Sequence, residues 1–174
     1  MRQGRTGGIF VASTLNDSIG HSLSASIAVM LASESVTLCQ LLEARMLMEV
    51  PLAGLAAAKA DEAVIAELED AIAEAEGKNP AHDDFRLADA RFHQIIAETA
   101  GNDLLVAFTR WSLEVLQPSL VKRIGSALVA EDILEQHAAI LRAIRRGQPA
   151  AARRAMERHL VHAQEVLAAV DRAG

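Results

Sequence analysis

Asp89 and His93 stand one helical turn apart, and His137 and His159 follow at a spacing of twenty-two residues. A carboxylate and three imidazoles are donors that hold divalent cations of the first transition series. Each of the four falls inside an apolar stripe. A carboxylate left alone among apolar side chains is costly, and a shared cation removes that cost. His with Asp suits Zn, Ni, Mn, Fe or Co, with Zn, Ni or Mn foremost. No thiolate joins the set, which speaks against a closed structural zinc site. Three or four protein ligands leave a position for water or for a ligand oxygen.

The elements that must position these residues follow from periodicity. In a helix expected from Pro80 to Gly101 the stripe is Phe85, Asp89, Phe92, His93, Ile96 and Ala100, opposite Arg91, Gln94 and Glu98. A later helix, expected over about 128–146, carries Ile133, His137, Ile140 and Ile144. The last, opened by Pro149, carries Ala152, Met156, His159, Ala163, Val166 and Val170. Gly147 marks the turn between these two. At 1.5 Å per residue, His137 and His159 both lie roughly 15–18 Å from it. An antiparallel pair therefore sets them at nearly the same height, facing a third helix that bears Asp89 and His93. Read singly, each histidine fits a hydrogen-bonded core residue, and Asp89 fits a partner of Arg91. Convergence of three stripes is what favours a metal.

The rest of the chain also reads as helical from Asn16 onward. Asn16 or Asp17 caps a helix to about Leu31, and Thr37 opens one to about Ala60 that Pro51 should kink. A third is expected from Asp61 to Glu76, stopped by Gly77, and another from the cap Asn102 to about Gln117, before Pro118. Residues 1–12 differ: Gly7-Gly8 is a turn signal and Ile9-Phe10-Val11 a short β run.

The chain has 174 residues, 51% hydrophobic and 3% aromatic with no Tyr. This suits one all-α domain with small residues at helix contacts. A formal charge of −6 is a poor match for a phosphate backbone. The single cysteine, Cys39, excludes an internal disulfide and fits a reducing cytoplasm, the expected location. No apolar run reaches the length of a membrane span, and no signal peptide is visible.

The same residues carry a family resemblance. DARFHQIIAETAGNDLL resembles a D-x-x-F-H…G-N-x-x-L signature, EQHAAILRAIRRGQPAAARRAMERHL an E-x-H…M-x-x-H-L signature, and LLEARMLMEVPLAGLAAAKA an opening R-x-x-x-E helix. All three are similar to the FCD domain, the C-terminal effector-binding domain of the FadR branch of GntR-type bacterial transcription regulators. The likeness covers about residues 36–170. It implies an antiparallel bundle of six or seven helices around a cavity that holds a divalent metal on Asp89, His93, His137 and His159. It also implies a small organic-acid effector on that metal, paired with Arg45. Read without the resemblance, Arg45 fits a surface ion pair with Glu43 or Glu49. Gln148 departs from the family, which often has Asp after the turn glycine. RQGRTGGIFVA resembles the wing of the winged helix that precedes this domain, with Arg2 and Arg5 facing DNA. On that reading residues 1–15 are a wing remnant and linker, residues 16–174 the helical domain, and the chain begins partway through a DNA-binding domain.

Three functions compete. The first is a metal-dependent sensor of a small carboxylate, a homodimer that modulates DNA binding by the winged helix. The second is a metal-dependent enzyme acting on a small carboxylate, although neither H-E-x-x-H nor E-x-x-H is present to supply a helical base or a di-iron site. The third is a metal-free helical module with packed histidines. Among other residues, Asn102 reads as a cap before a ligand contact, Trp111 as core or cavity wall, and His162 as a neighbour of the site or an exposed group. Lys122 and Arg123 are candidates for extra positive lining. Cys39 reads as packing, and His21 and His82 as solvated.

Overall fold

The structure is a computed structural model that describes residues 22–125 and 127–173. The wing remnant, with Arg2, Arg5 and the β run, and the start of the first helix lie outside them. Within the described residues every regular element is helical. Residues 22–32 form α1. It is followed by α2 (Leu38–Lys59), α3 (Glu62–Ala75), α4 (Asp83–Ala100), α5 (Asp103–Ile124), α6 (Ala130–Arg145) and α7 (Pro149–Ala173).

Local chemistry sets most boundaries. Thr37 and Gln40 form a reciprocal capping box at the start of α2. Asp61 accepts from the Val64 N–H to open α3, and Asn102 accepts from the N–H groups of Leu104 and Leu105 to open α5. Gly101 ends α4 at φ 78°, a left-handed conformation that costs glycine least. The α6–α7 turn closes with Gln148 N–H on the Ala143 carbonyl and Gly147 N–H on that of Ile144, the paired bonds of a Schellman motif.

One expectation based on proline changes, and the other proline inside a helix is carried through. Pro118 does not end α5, which runs on to Ile124, and α2 continues through Pro51 as one element. Each proline leaves the carbonyl four residues earlier without its N–H. Pro51 with Leu47, and Pro118 with Glu114, lie on exposed faces, where water can accept that role. Beyond Pro118, packing of Leu120 and Ile124 against Leu41, Leu42 and Leu167 holds the last turns. Pro80 also sits ahead of its helix, in the turn before α4.

α2 is the central helix, packed on α4, α5, α6 and α7, while α3 lies across α4 and α6. The main apolar cluster joins Leu52, Leu68, Phe92, Ile96, Ile140, Met156 and Leu160. A second gathers Leu41, Leu42, Leu116, Leu120, Ile124 and Leu167, and a third Ala75, Phe85, Ala88 and Ile133. On four helices the same thing happens between clusters. Arg45 and Glu49 separate Leu42 from Leu52, Asp89 separates Ala88 from Phe92, His137 separates Ile133 from Ile140, and His159 follows Met156 toward Leu167. A polar layer thus runs through the core where the apolar clusters meet.

Capping, and nothing more, is the role the geometry gives Asn102. Asn102→Ala should lower unfolding free energy by about 1 kcal/mol in urea titrations and leave ligand affinity unchanged. Lost affinity at unchanged stability would instead make it a contact residue.

Candidate metal centre

Asp89 and His93 project from successive turns of α4, His137 from α6 and His159 from α7. One donor atom from each lies within 4.8 Å of all the others. The Nε2 atoms of His93 and His159 are 3.2 Å apart. Asp89 Oδ1 is 3.3 Å from His137 Nε2 and 3.9 Å from His93 Nε2. Metal–nitrogen bonds of about 2.1 Å place neighbouring ligands about 3.0–3.4 Å apart and opposite ones about 4.2 Å apart. The donor set therefore fits one first-row divalent cation with shifts of a few tenths of an ångström. His137 Nε2 is buried without a hydrogen-bond partner, as a nitrogen directed at a cation would be.

Each of the four side chains is also held from behind. Phe92 stacks on the His137 ring at 4.1 Å and 13°. Gln136 Oε1 lies 2.9 Å from His159 Nδ1, which leaves Nε2 as the coordinating nitrogen when Nδ1 carries the proton. Gln117, reaching in from α5, donates its amide to Asp89 Oδ2. On α2, Glu49 Oε2 lies 2.6 Å from His93 Nδ1, while Arg45 donates to the same carboxylate through Nε at 2.6 Å and Nη2 at 3.3 Å.

The electrostatics follow from this packing. Burial works against ionisation of Asp89. The adjacent His137 and the charges of His93 and His159 outweigh burial and hold the carboxyl well below the usual range. Burial likewise opposes charge on Glu49, yet Arg45 and His93 bring it down to about 2. Burial pushes His137 below its ordinary value against the pull of Asp89. Burial, with His137 and His93 adding to it, pushes His159 down further. The result is two carboxylates beside His137 and His159, both disposed to be neutral, the protonation state that metal ligation needs.

Arg45 is 3% exposed and pairs with Glu49, so the surface pair is replaced by a buried one. Its guanidinium lines a cavity of roughly 50 Å³ together with Asp89, Gln117, His159 and His162. Larger surface grooves, such as one of about 810 Å³ between α1, the start of α2 and α5, include none of the four ligands. Arg91 pairs with Glu74 of α3 and leaves Asp89 to its polar neighbours. Arg123 pairs with Asp171 at 2.6 Å on the surface and Lys122 is exposed, so neither adds to the lining. Trp111 is buried edge-on to Phe108, away from the cavity wall. Cys39 and His82 are exposed, which removes packing as the role of Cys39. His21 lies outside the described residues.

Three supporting groups escaped the sequence reading as parts of the site. Glu49 was legible, because Leu42, Arg45, Glu49, Leu52, Ala53 and Ala56 form one buried stripe of α2. Gln117 falls on the stripe of Leu113, Leu116, Leu120 and Ile124, but its helix was expected to end there. Gln136 carries no periodic signal.

Comparison with known proteins agrees with this geometry. The FCD domain family matches residues 40–162. The chain is 29% identical over 172 residues to the HTH-type transcriptional regulator LutR of Bacillus subtilis (strain 168), covering 96% of this chain and 76% of that protein. It is similar in structure to Streptococcus agalactiae GntR, with a TM-score of 0.61 and 28% identity, over 71% of this chain. The match spans 56% of that GntR chain. The chain belongs to the FCD domain family, and the relatives it matches are transcription regulators of the GntR type rather than enzymes.

Proposed function

We propose that this chain is the ligand-sensing domain of a GntR-type regulator, that it holds a divalent metal on Asp89, His93, His137 and His159, and that it senses a small organic acid. The observation that carries the reading is the set of four donors within 4.8 Å of one another, brought together from α4, α6 and α7. When bound, the cation supplies positive charge and a coordination position for an acid oxygen.

Charge balance favours an anion. With the imidazoles neutral, Arg45 offsets only one of the two buried carboxylates, Glu49 and Asp89. A divalent cation turns that single net negative charge into a single positive one. A monocarboxylate then brings the layer to neutrality, which low-dielectric surroundings reward. Arg45 has five N–H donors and spends one on Nε and one on Nη2 toward Glu49, so its cavity face can also meet the acid. The roughly 50 Å³ cavity holds one or two waters at about 30 Å³ each. An acid must therefore part the side chains around it, and it binds a more open arrangement of the bundle preferentially. That differential affinity is what can shift a dimer between states and alter DNA binding by a winged helix. The acid, operator DNA, the homodimer and a cytoplasmic setting are part of this proposal. Among the described residues no helix is long and apolar enough to cross a membrane.

Elemental analysis of protein purified without an affinity tag should find about one divalent ion per chain, lost in His137→Ala. Small carboxylates should then raise the melting temperature of the metal-loaded protein and leave the chelated protein unmoved. No metal in the wild type, with no stabilisation by added Zn, Ni or Mn, refutes the site. Stabilisation by acids without metal refutes the coupling.

The chelated protein should also be acid-sensitive in a defined order. His137 and His159 have folded-state values below the ordinary 6.5. The unfolded chain therefore takes up protons first, and stability falls as pH drops below 6.5. Glu49, at about 2 when folded against 4.5, and Asp89 extend the loss through the carboxylate range. Urea midpoints at pH 7.5, 6.0 and 5.0 should decline steadily. A midpoint unchanged from 7.5 to 5.0 would mean that the histidines are charged in the fold.

A further inference from the structure

Glu49 has no place among the four donors, yet it is 2% exposed and charged. Its carboxylate reaches two groups, Arg45 at both oxygens, with Nη2 3.3 Å from Oε2, and His93 at Oε2. Oε1 lies 2.6 Å from Arg45 Nε, and Oε2 lies 2.6 Å from His93 Nδ1. The His93 ring has its other nitrogen, Nε2, among the four donors, 3.2 Å from His159 Nε2. His93 Nδ1 has no aligned hydrogen-bond partner, so the Glu49 carboxylate is the acceptor within reach.

We propose that Glu49 is a positioning residue of the metal centre, whose carboxylate holds the Nδ1 proton of His93 and turns Nε2 toward the cation while its other oxygen anchors Arg45. The proposal rests on the metal reading above and adds to it. A carboxylate behind a ligating imidazole fixes the tautomer and ring orientation and makes the nitrogen a stronger donor. Here the same carboxylate also ties the ligand on α4 to the cation on α2. A change in the grip on Arg45 therefore reaches His93 through one side chain. An anion that draws Arg45 into the cavity loosens its hold on Oε1 and leaves the carboxylate to His93. The metal centre and the anion-facing arginine are then one linked unit spanning the two helices.

Three forms of the whole chain separate this role from simple core packing: wild type, Glu49→Ala and Glu49→Gln. Each is freed of metal and titrated with Co(II), followed by its visible absorption, and the metal-free stability is measured in urea. Removal of a group of this kind costs about 10- to 100-fold in metal affinity. Glu49→Ala should show that loss with a changed Co(II) spectrum. Glu49→Gln should recover part of the affinity and the native band shape, because its amide oxygen still accepts from Nδ1–H. If Glu49→Ala does not fold, Glu49→Gln decides by its spectrum and by any loss of affinity against wild type. Variants that bind Co(II) within twofold of wild type, with the same spectrum, overturn the proposal even if they are less stable. A wild-type chain that binds no Co(II) overturns the metal reading and this inference with it.

Discussion

The structure depends on burying ionised groups inside a bundle that is otherwise held together by apolar contact. Arg45, Glu49 and Asp89 are at most 9% exposed, and all are charged at neutral pH. Isolated, each would cost several kcal/mol. They are tolerated because every one has a partner on another group: Arg45 with Glu49, Glu49 beside His93, Asp89 with Gln117 and His137. Such a network is weak evidence for stability, since well-packed apolar residues would serve as well or better. Apolar packing alone therefore does not account for its place in the middle of the core.

That demand shapes the arrangement of the helices. One donor atom each from Asp89, His93, His137 and His159 lies within 4.8 Å of the others, so α4, α6 and α7 meet at one height. The Schellman turn at Gly147 sets the α6–α7 register, and Phe92 of α4 stacks on His137 of α6. The remaining support comes from helices that contribute no ligand. α2 brings Glu49 and Arg45, and α5 brings Gln117 across its continuation past Pro118. A bundle with α5 ending at Gln117 would lose the packing of Leu120 and Ile124 and, with it, the anchoring of the Asp89 carboxylate.

Small volume and opposite charges give the cavity its character. The cavity of roughly 50 Å³ is lined by Arg45 and Asp89 together with His159 and His162. A ligand that must displace side chains to enter couples its binding to the packing around it, because a close-packed interior cannot deform locally without cost. Such coupling is the physical requirement for a sensor.

Much of this was determined by the sequence alone. The four donors, their stripes and their common height follow from a period of 3.6 and a rise of 1.5 Å per residue, which are local properties of the chain. Caps at Thr37, Asp61 and Asn102, and stops at Gly77, Gly101 and Gly147, are equally local. The tertiary structure alone decided that Arg45 is buried and already paired, that Gln117 and Gln136 hold two of the ligands, and that α5 survives Pro118. Those outcomes depend on which face of a neighbouring helix lies opposite, and on whether a lost backbone hydrogen bond faces water or core. Neither is encoded in the spacing of residues along one helix. They arise only when the helices pack.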